Sequence, residues 1–91
     1  VIDTYRMPET SHLSESDRIR KDIVLFEESL IELESVALAA DEADVVEQAK
    51  RYYADTKYYH EKGDYFTAFG CINYAHGLVD GLKMRRGLLK W

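Results

Sequence analysis

Residues 52–81 read YYADTKYYHEKGDYFTAFGCINYAHGLVDG, and this stretch decides the fold. Its first 23 positions hold eight aromatic residues, and the polar triplet at 62–64 separates two apolar segments. Gly63 suits the left-handed position that follows a helix, while Asp64 suits the N-cap of the next one. The stretch therefore predicts two helices that meet at one tight turn and pack antiparallel.

Both helices of this hairpin have an identifiable inner side. On a wheel of about 100° per residue, the helix predicted over 65–86 gathers five apolar residues on its core face, flanked by Tyr65 and Phe69. They are Ala68, Ile72, Ala75, Val79 and Leu82. The helix predicted over 44–62 presents a second set inward, namely Val45, Val46, Ala49, Tyr52, Tyr53, Thr56 and Tyr59.

A third helix is predicted before the hairpin, over residues 15–40. Ser14 and Asp17 have the spacing of an N-cap and an acidic third helical residue. Apolar residues then alternate spacings of four and three, which is the seam of a packed helix, at Ile19, Ile23, Phe26, Leu30, Leu33 and Ala37. A second row, Val24, Ile31 and Leu38, predicts contact with two partner helices. The acidic run 41–44 is predicted to end this helix and cap the next.

These elements predict one all-α domain, an antiparallel three-helix bundle over residues 14–91, preceded by a polar lead at 1–13 whose order the sequence leaves open. Ninety-one residues suffice for one core. No window has the roughly 18 apolar residues of a membrane span. The start of the chain resembles neither a signal nor a transit peptide, and Cys71 is its single cysteine. We therefore expect a cytoplasmic protein that makes no membrane contact.

Charge is distributed unevenly along the chain, whose net charge is −5. Nine acidic residues and no Lys or Arg lie between Asp22 and Glu47, whereas four basic residues and no acid follow Asp80. The favoured interpretation is an acidic helix face beside a basic end that neutralises nearby carboxylates. The alternative, a phosphate-binding end, is the weaker one because the acidic belt repels nucleic acid.

One set of polar side chains is a candidate site. Asn73, His76 and Asp80 lie within about 60° on the wheel, and an aspartate four residues after a histidine can orient its imidazole. A structural pair is the favoured interpretation, because a catalytic or metal role requires further groups such as Asp55 or His60.

The other reactive residue types predict no chemistry. Glu9 and His12 have the Glu-x-x-His spacing of a di-iron ligand pair, but no second copy completes such a site. Cys71 has no neighbouring cation and is interpreted as a small core residue. No metal and no cofactor are predicted.

Three glycines form the second candidate site. Gly70, Gly77 and Gly81 fall on one side of the last helix, between Phe66 and Tyr74. Interior glycines each cost a helix up to about 1 kcal/mol relative to alanine, which calls for a reason. Either the strip packs against the first helix, which we favour, or it admits a ligand, another helix or a second subunit. We take Gly70, Tyr74, Gly77 and Gly81 as a candidate helix-contact strip.

The segment from Tyr53 to Asp80, with its Gly63-Asp64 turn and flanking aromatics, resembles the archaeal domain-of-unknown-function family 357. The resemblance implies a three-helix bundle and no assigned activity, and it carries no catalytic residues over. The run from Gly63 to Ala75 is also similar to half of a tetratricopeptide repeat, but only one copy is present. Helical nucleotide-binding and ribonuclease domains share the aromatic, alanine-rich helices but have an Arg and His motif that the last helix lacks.

The function expected from these patterns is a binding or protein-interaction module rather than an enzyme. Its partner would be another protein or a second copy of the chain, with nucleic acid disfavoured. The alternative is a nucleotide-processing or RNA-related domain that uses Asn73, His76 and Asp80.

Overall fold

A computed structural model describes residues 14–89 of the chain, and these residues form three helices and no strand. They are α1 (Glu15–Glu34), α2 (Ala40–Glu61) and α3 (Tyr65–Arg85). The prediction of an all-α three-helix bundle is confirmed. α2 and α3 make the most extensive contact, and α1 packs chiefly on α3. The lead at 1–13, including Glu9 and His12, lies outside the described residues.

The core is built from the residues that the helical wheels placed inward. α3 contributes its predicted apolar face, α2 contributes small residues, and α1 contributes two large side chains. The buried cluster comprises Phe26, Leu33, Val46, Ala49, Ile72, Ala75, Val79 and Leu82. α3 supplies half of this cluster, so it is the central helix on which the other two pack.

The turn between α2 and α3 has the predicted chemistry. Gly63 has a φ of +80°, in the left-handed region, and the Asp64 carboxylate accepts a hydrogen bond from the backbone N–H of Thr67 at 3.2 Å. At the same end of the bundle, the Ser14 hydroxyl accepts from the N–H of Asp17 at 3.1 Å and caps α1 as predicted. Both caps satisfy backbone donors that a helix start leaves without an intrahelical partner.

Replacing Gly63 with alanine should lower the free energy of unfolding by about 1 to 2 kcal/mol, because a Cβ disfavours the left-handed conformation. The loss should appear as a lower urea midpoint with an unchanged slope. Gly63→Asn is the control, because asparagine tolerates this conformation better. An alanine variant as stable as the asparagine variant would contradict this account of the turn.

Two predicted helix boundaries are wrong. α1 ends at Glu34 rather than at residue 40, because Ser35 caps it: its hydroxyl donates to the carbonyl oxygen of Glu32 at 2.7 Å. α2 begins at Ala40 rather than at residue 44, so the acidic run 41–44 forms the first turn of α2 instead of a break. Acidic side chains there complement the positive end of the helix dipole.

The second apolar row of the predicted first helix is covered only at Leu38, which packs beside α2. Val24 is 47% exposed and Ile31 is 66% exposed, while Leu38 lies in the link after α1. α1 makes its main contact with α3 and a much smaller one with α2, so a single apolar seam is enough to attach it. α1 thus contacts two partner helices, as predicted, but it reaches α2 through side chains such as Phe26 rather than through Val24 and Ile31, which stay largely exposed.

Candidate interaction surface on the third helix

The outward side of α3 is uncharged. No Asp, Glu, Lys or Arg occurs from Tyr65 to Val79, a stretch that covers most of the helix. The exposed residues opposite the core face, which we call the aromatic face, are Phe66, Gly70, Asn73, Tyr74, Gly77 and Gly81. A helix with one face on a core usually carries charged residues on the other, so the aromatic face is unusual for a solvent-exposed surface.

Phe66 is the most exposed large apolar side chain on this face. It is 92% exposed, and Phe69, one turn further along α3, is 47% exposed. Between these rings and α1 lies an open groove of about 250 Å³, lined by Glu15, Arg18, Ile19, Tyr65, Phe66 and Phe69. The groove is smaller than the cavities that usually enclose small molecules. Its shape suits a side chain of another protein better than a buried ligand.

A second open groove lies on the α2 side of the same two rings. It is lined by Tyr52, Phe66, Thr67, Phe69, Gly70, Cys71 and Tyr74. The rings of Tyr52 and Tyr74 pack with centroids 4.5 Å apart, which holds Tyr74 against α2. Burial, with Asp55 and Asp64 nearby, raises the pKa of the Cys71 thiol, so this cysteine is kept protonated rather than activated.

The glycine strip faces solvent rather than α1. Gly70, Gly77 and Gly81 are all exposed, and a Cβ built on any of them has no atom within 4 Å beyond the local helix. The favoured prediction, that the strip packs against α1 inside the bundle, is therefore wrong. α1 lies on the flank of α3 that carries His76, so it leaves the strip uncovered. Contact between the strip and another molecule stays a prediction.

The three polar candidates do not converge. His76 Nε2 donates to the main-chain carbonyl oxygen of Asp22 on α1 at 2.9 Å, and its ring meets the Phe26 ring edge to face. Asn73 is exposed and Asp80 is half-buried. The partner of the imidazole is thus a backbone carbonyl and not Asp80. These contacts give His76 a structural position between α1 and α3.

Of the two α2 residues that could have completed a site, Asp55 is exposed and His60 is engaged elsewhere. His60 Nε2 lies 2.8 Å from the Ser16 hydroxyl, and its ring packs beside Tyr65 at the start of α3. Eleven residues of helix, or roughly 16 Å, separate Tyr65 from His76. Among residues 14–89, no three His, Cys, Asp or Glu side chains come close enough together to hold a metal ion.

The basic end of α3 is neutralised by carboxylates, which is the favoured interpretation of the charge pattern. Lys83 Nζ lies 2.8 Å from the Glu32 carboxylate and donates to the Ser29 hydroxyl at 3.3 Å. Arg85 and Arg86 both contact Glu42. Cations that already have carboxylate partners attract phosphate less strongly, so these contacts favour a structural role over phosphate binding.

Glu42 is a feature that the sequence analysis missed. It is 3% exposed, accepts from the backbone N–H of Ala39 at 2.9 Å, and receives hydrogen bonds from the Arg86 guanidinium, one of them at 3.1 Å. The Arg86 hydrogen bonds and the Ala39 N–H hold the pKa of the Glu42 carboxyl at about 2, below its usual 4.5. Glu42 thereby joins the start of α2 to the end of α3.

Phe66 is not among the residues of the predicted candidate sites. On the helical wheel it lies beside the glycine strip, which comprises the three glycines and Tyr74. The signal that could have identified it is the charge-free run from Tyr65 to Val79, since the helical wheel places Phe66 opposite the core face.

A family model matches residues 21–88, described as "Protein of unknown function (DUF357)". The chain belongs to the DUF357 family. The match covers α2, α3 and most of α1, so membership extends well beyond the hairpin segment that carries the resemblance. The description of the DUF357 family names no activity, and it assigns no role to the aromatic face. No curated protein matches the chain significantly.

Residues 14–89 of this DUF357 protein contain no helix that combines the length and the apolar character required to span a bilayer.

Proposed function

We propose that this DUF357 protein is a protein-interaction module that binds its partner through the aromatic face of α3. The observation that carries the proposal is the 92% exposure of Phe66 on a helix side without charge. Covering a phenylalanine side chain is worth about 1.5 to 3 kcal/mol, and this chain leaves Phe66 in water. Contiguous exposed apolar surface of this kind is typical of a binding site.

The residues of the face are suited to protein contact. Phe66 and Tyr74 on the face, with Phe69 beside it, supply large rings with few rotatable bonds, which give contact area at a small entropy cost. The two grooves beside Phe66 offer places for a partner's side chains. Apart from Glu15 and Arg18 on α1, no charged residue lines either groove, and this largely apolar lining favours a partner's side chain over a small polar molecule.

Other classes of partner fit less well. The net charge of −5 disfavours association with nucleic acid or with anionic lipid. The cations at the end of α3 are paired with Glu32 and Glu42, and none lies on the aromatic face. A membrane-binding helix usually carries Lys and Arg along its polar edge, which α3 lacks between Tyr65 and Val79.

The enzyme alternative has no observation in its favour. Asn73 is exposed, and His76 is held by the Asp22 carbonyl oxygen rather than aimed at a cavity. Neither groove of the aromatic face is lined by Asn73, His76 or Asp80.

Truncating the Phe66 side chain should strongly reduce the amount of partner that the chain retains. The tagged full-length chain would be used as bait in extract from its native cells, together with co-expressed untagged copies of itself. We expect Phe66→Ala to retain at least about tenfold less partner than wild type, because exposed aromatic anchors commonly contribute more than 1.4 kcal/mol. Circular dichroism spectra should show that the helices remain.

Tyr58→Ala is the matched control, since Tyr58 is a 55% exposed aromatic on α2 that lines neither groove of the aromatic face. It should retain partner at the wild-type level. Equal retention by wild type, Phe66→Ala and Tyr58→Ala would refute the proposed surface.

A further inference from the structure

We infer that the partner on the aromatic face is a second copy of this chain, with the two α3 helices antiparallel and Phe66 of each seated over Gly81 of the other. The inference rests on the proposed function and names the occupant of the same face. It is carried by the order of side-chain sizes along α3, by the position of charges at its two ends, and by the exposure of every residue involved.

The size pattern is self-complementary when the helix is reversed. Along the face, a large ring stands at the start, glycines stand at the end, and the middle holds Asn73 and Tyr74. With a two-fold axis between Asn73 and Tyr74, Phe66 lies opposite the partner's Gly81. In the same register Gly70 lies opposite the partner's Gly77. Each ring then meets a position without a Cβ, and the helix backbones can approach closely at the glycine pair.

A parallel arrangement does not use this pattern. It would place Phe66 against its own copy at one end and Gly81 against its own copy at the other. The two rings would hold the helices apart at one end, and no ring would fill the space beside Gly77 and Gly81 at the other.

Charges at the ends of α3 favour the same orientation. Asp64 caps the start of α3, with Glu61 immediately before the turn, while the exposed Arg85 lies at its end. In the antiparallel register the partner's Arg85 lies at the level of Lys62, with Glu61 one residue to one side and Asp64 two residues to the other, so two acids and one base surround it at each end of the contact. Opposite charges at the rim steer association and fix its register.

The three glycines also lower the helical stability of α3, and no contact among the described residues offsets this loss. None of them receives a neighbour within the described residues, and an alanine would fit at each. Close approach by a second helix gives these residues a physical role.

The first experiment separates self-association from folding. Light scattering and sedimentation of the full chain, from about 1 µM to about 1 mM, should show a monomer–dimer equilibrium. Gly77→Leu should raise the dissociation constant at least about tenfold, because a side chain enters the closest contact. The same variant should resist heat better than wild-type monomer at low concentration, because leucine is the better helix former. Ala54→Leu, at an exposed position on α2, should leave the equilibrium unchanged.

The second experiment tests the register by disulfide cross-linking in a Cys71→Ala background. Asn73→Cys lies next to the two-fold axis, so it should cross-link to its own copy. Gly81→Cys should not cross-link, because in the antiparallel register residue 81 of the second copy lies at the level of residue 66. The two cysteines are then 15 residues, or about 22 Å of helix, apart, whereas a disulfide needs Cα atoms within about 7 Å. Efficient cross-linking of Gly81→Cys would establish a parallel contact and overturn the antiparallel inference.

The outcomes also distinguish this inference from the proposed function. A wild-type chain that stays monomeric, yet retains another protein in a Phe66-dependent way, refutes self-association and leaves the interaction module standing. A monomer that retains no protein refutes both, as does a monomer whose aromatic face is covered by its own residues 1–13. A dimer that Gly77→Leu fails to weaken overturns the assignment to this face.

Discussion

Replacing Phe26 with alanine is expected to lower the free energy of unfolding by about 3 to 5 kcal/mol. Phe26 is completely buried at the centre of the bundle. Its ring stacks on Tyr53 of α2, with centroids 5.1 Å apart, and meets the edge of His76 on α3 at 5.7 Å. One side chain of α1 therefore contacts both other helices, and its loss opens a cavity where all three meet.

This loss is a large fraction of the chain's total free energy of unfolding. A chain of this size typically has about 5 to 14 kcal/mol of stability, so Phe26→Ala should populate the unfolded state under mild conditions. Urea unfolding followed by circular dichroism measures the change. The matched control is Ile31→Ala on the same helix, where the side chain is 66% exposed. It should change stability by less than about 0.5 kcal/mol. Comparable losses in the two variants would contradict the described packing of α1.

The second large effect is expected at Glu42. Glu42→Gln removes the negative charge that receives the hydrogen bonds of Arg86 and lies 3.7 Å from Arg85 Nε. It also weakens the cap on the Ala39 N–H. Arg85 and Arg86 are solvent-accessible and stay hydrated in the variant, so the loss comes from the weaker hydrogen bonds that a neutral amide makes with Arg86 and with the Ala39 N–H. We expect a clear loss of stability at neutral pH.

The sign of the pH dependence follows from the pKa of Glu42. That pKa falls from 4.5 to about 2 on folding, so between these values the unfolded chain binds more protons than the folded one. The Glu42 contribution is therefore complete above pH 4.5 and is lost as the pH falls towards 2. The thermal unfolding midpoint of the wild type should fall steeply as the pH drops through this window, and that of Glu42→Gln should fall less.

Glu47→Gln serves as the control for this prediction. Glu47 pairs with Lys50 at 3.4 Å on the surface, where both side chains are largely exposed. Its replacement should change stability at neutral pH by less than about 0.5 kcal/mol and keep the steep acid dependence of wild type. A Glu42→Gln variant with the wild-type acid profile would show that another group is responsible.

The hairpin could be predicted because its determinants are local. Gly63 and Asp64 encode the turn in adjacent residues, and the wheel of α3 needs only the sequence spacing of its apolar residues. The start of α2 could not be predicted in the same way. Ala39 has no polar side chain to cap a helix, and the carboxylate that completes this end is held by Arg86, 44 positions away.

The candidate site shows the same division between local and tertiary information. The helical wheel places His76 and Asp80 close together, but the imidazole instead makes its hydrogen bond to a backbone carbonyl oxygen of α1. The wheel also separated the glycine strip from the core face correctly. It could not tell whether α1 would cover the strip, because that depends on which side of the hairpin α1 lies.

The contact between Glu42 and Arg86 has a mechanical consequence for the hairpin. α2 and α3 are joined at one end by the turn at Gly63 and at the other by this ion pair. The two helices thus form a closed loop with both ends anchored. Sliding one helix along the other by a single turn would break the ion pair or distort the turn. Tyr52 and Tyr74 therefore stay level with each other, and the groove beside them keeps its shape.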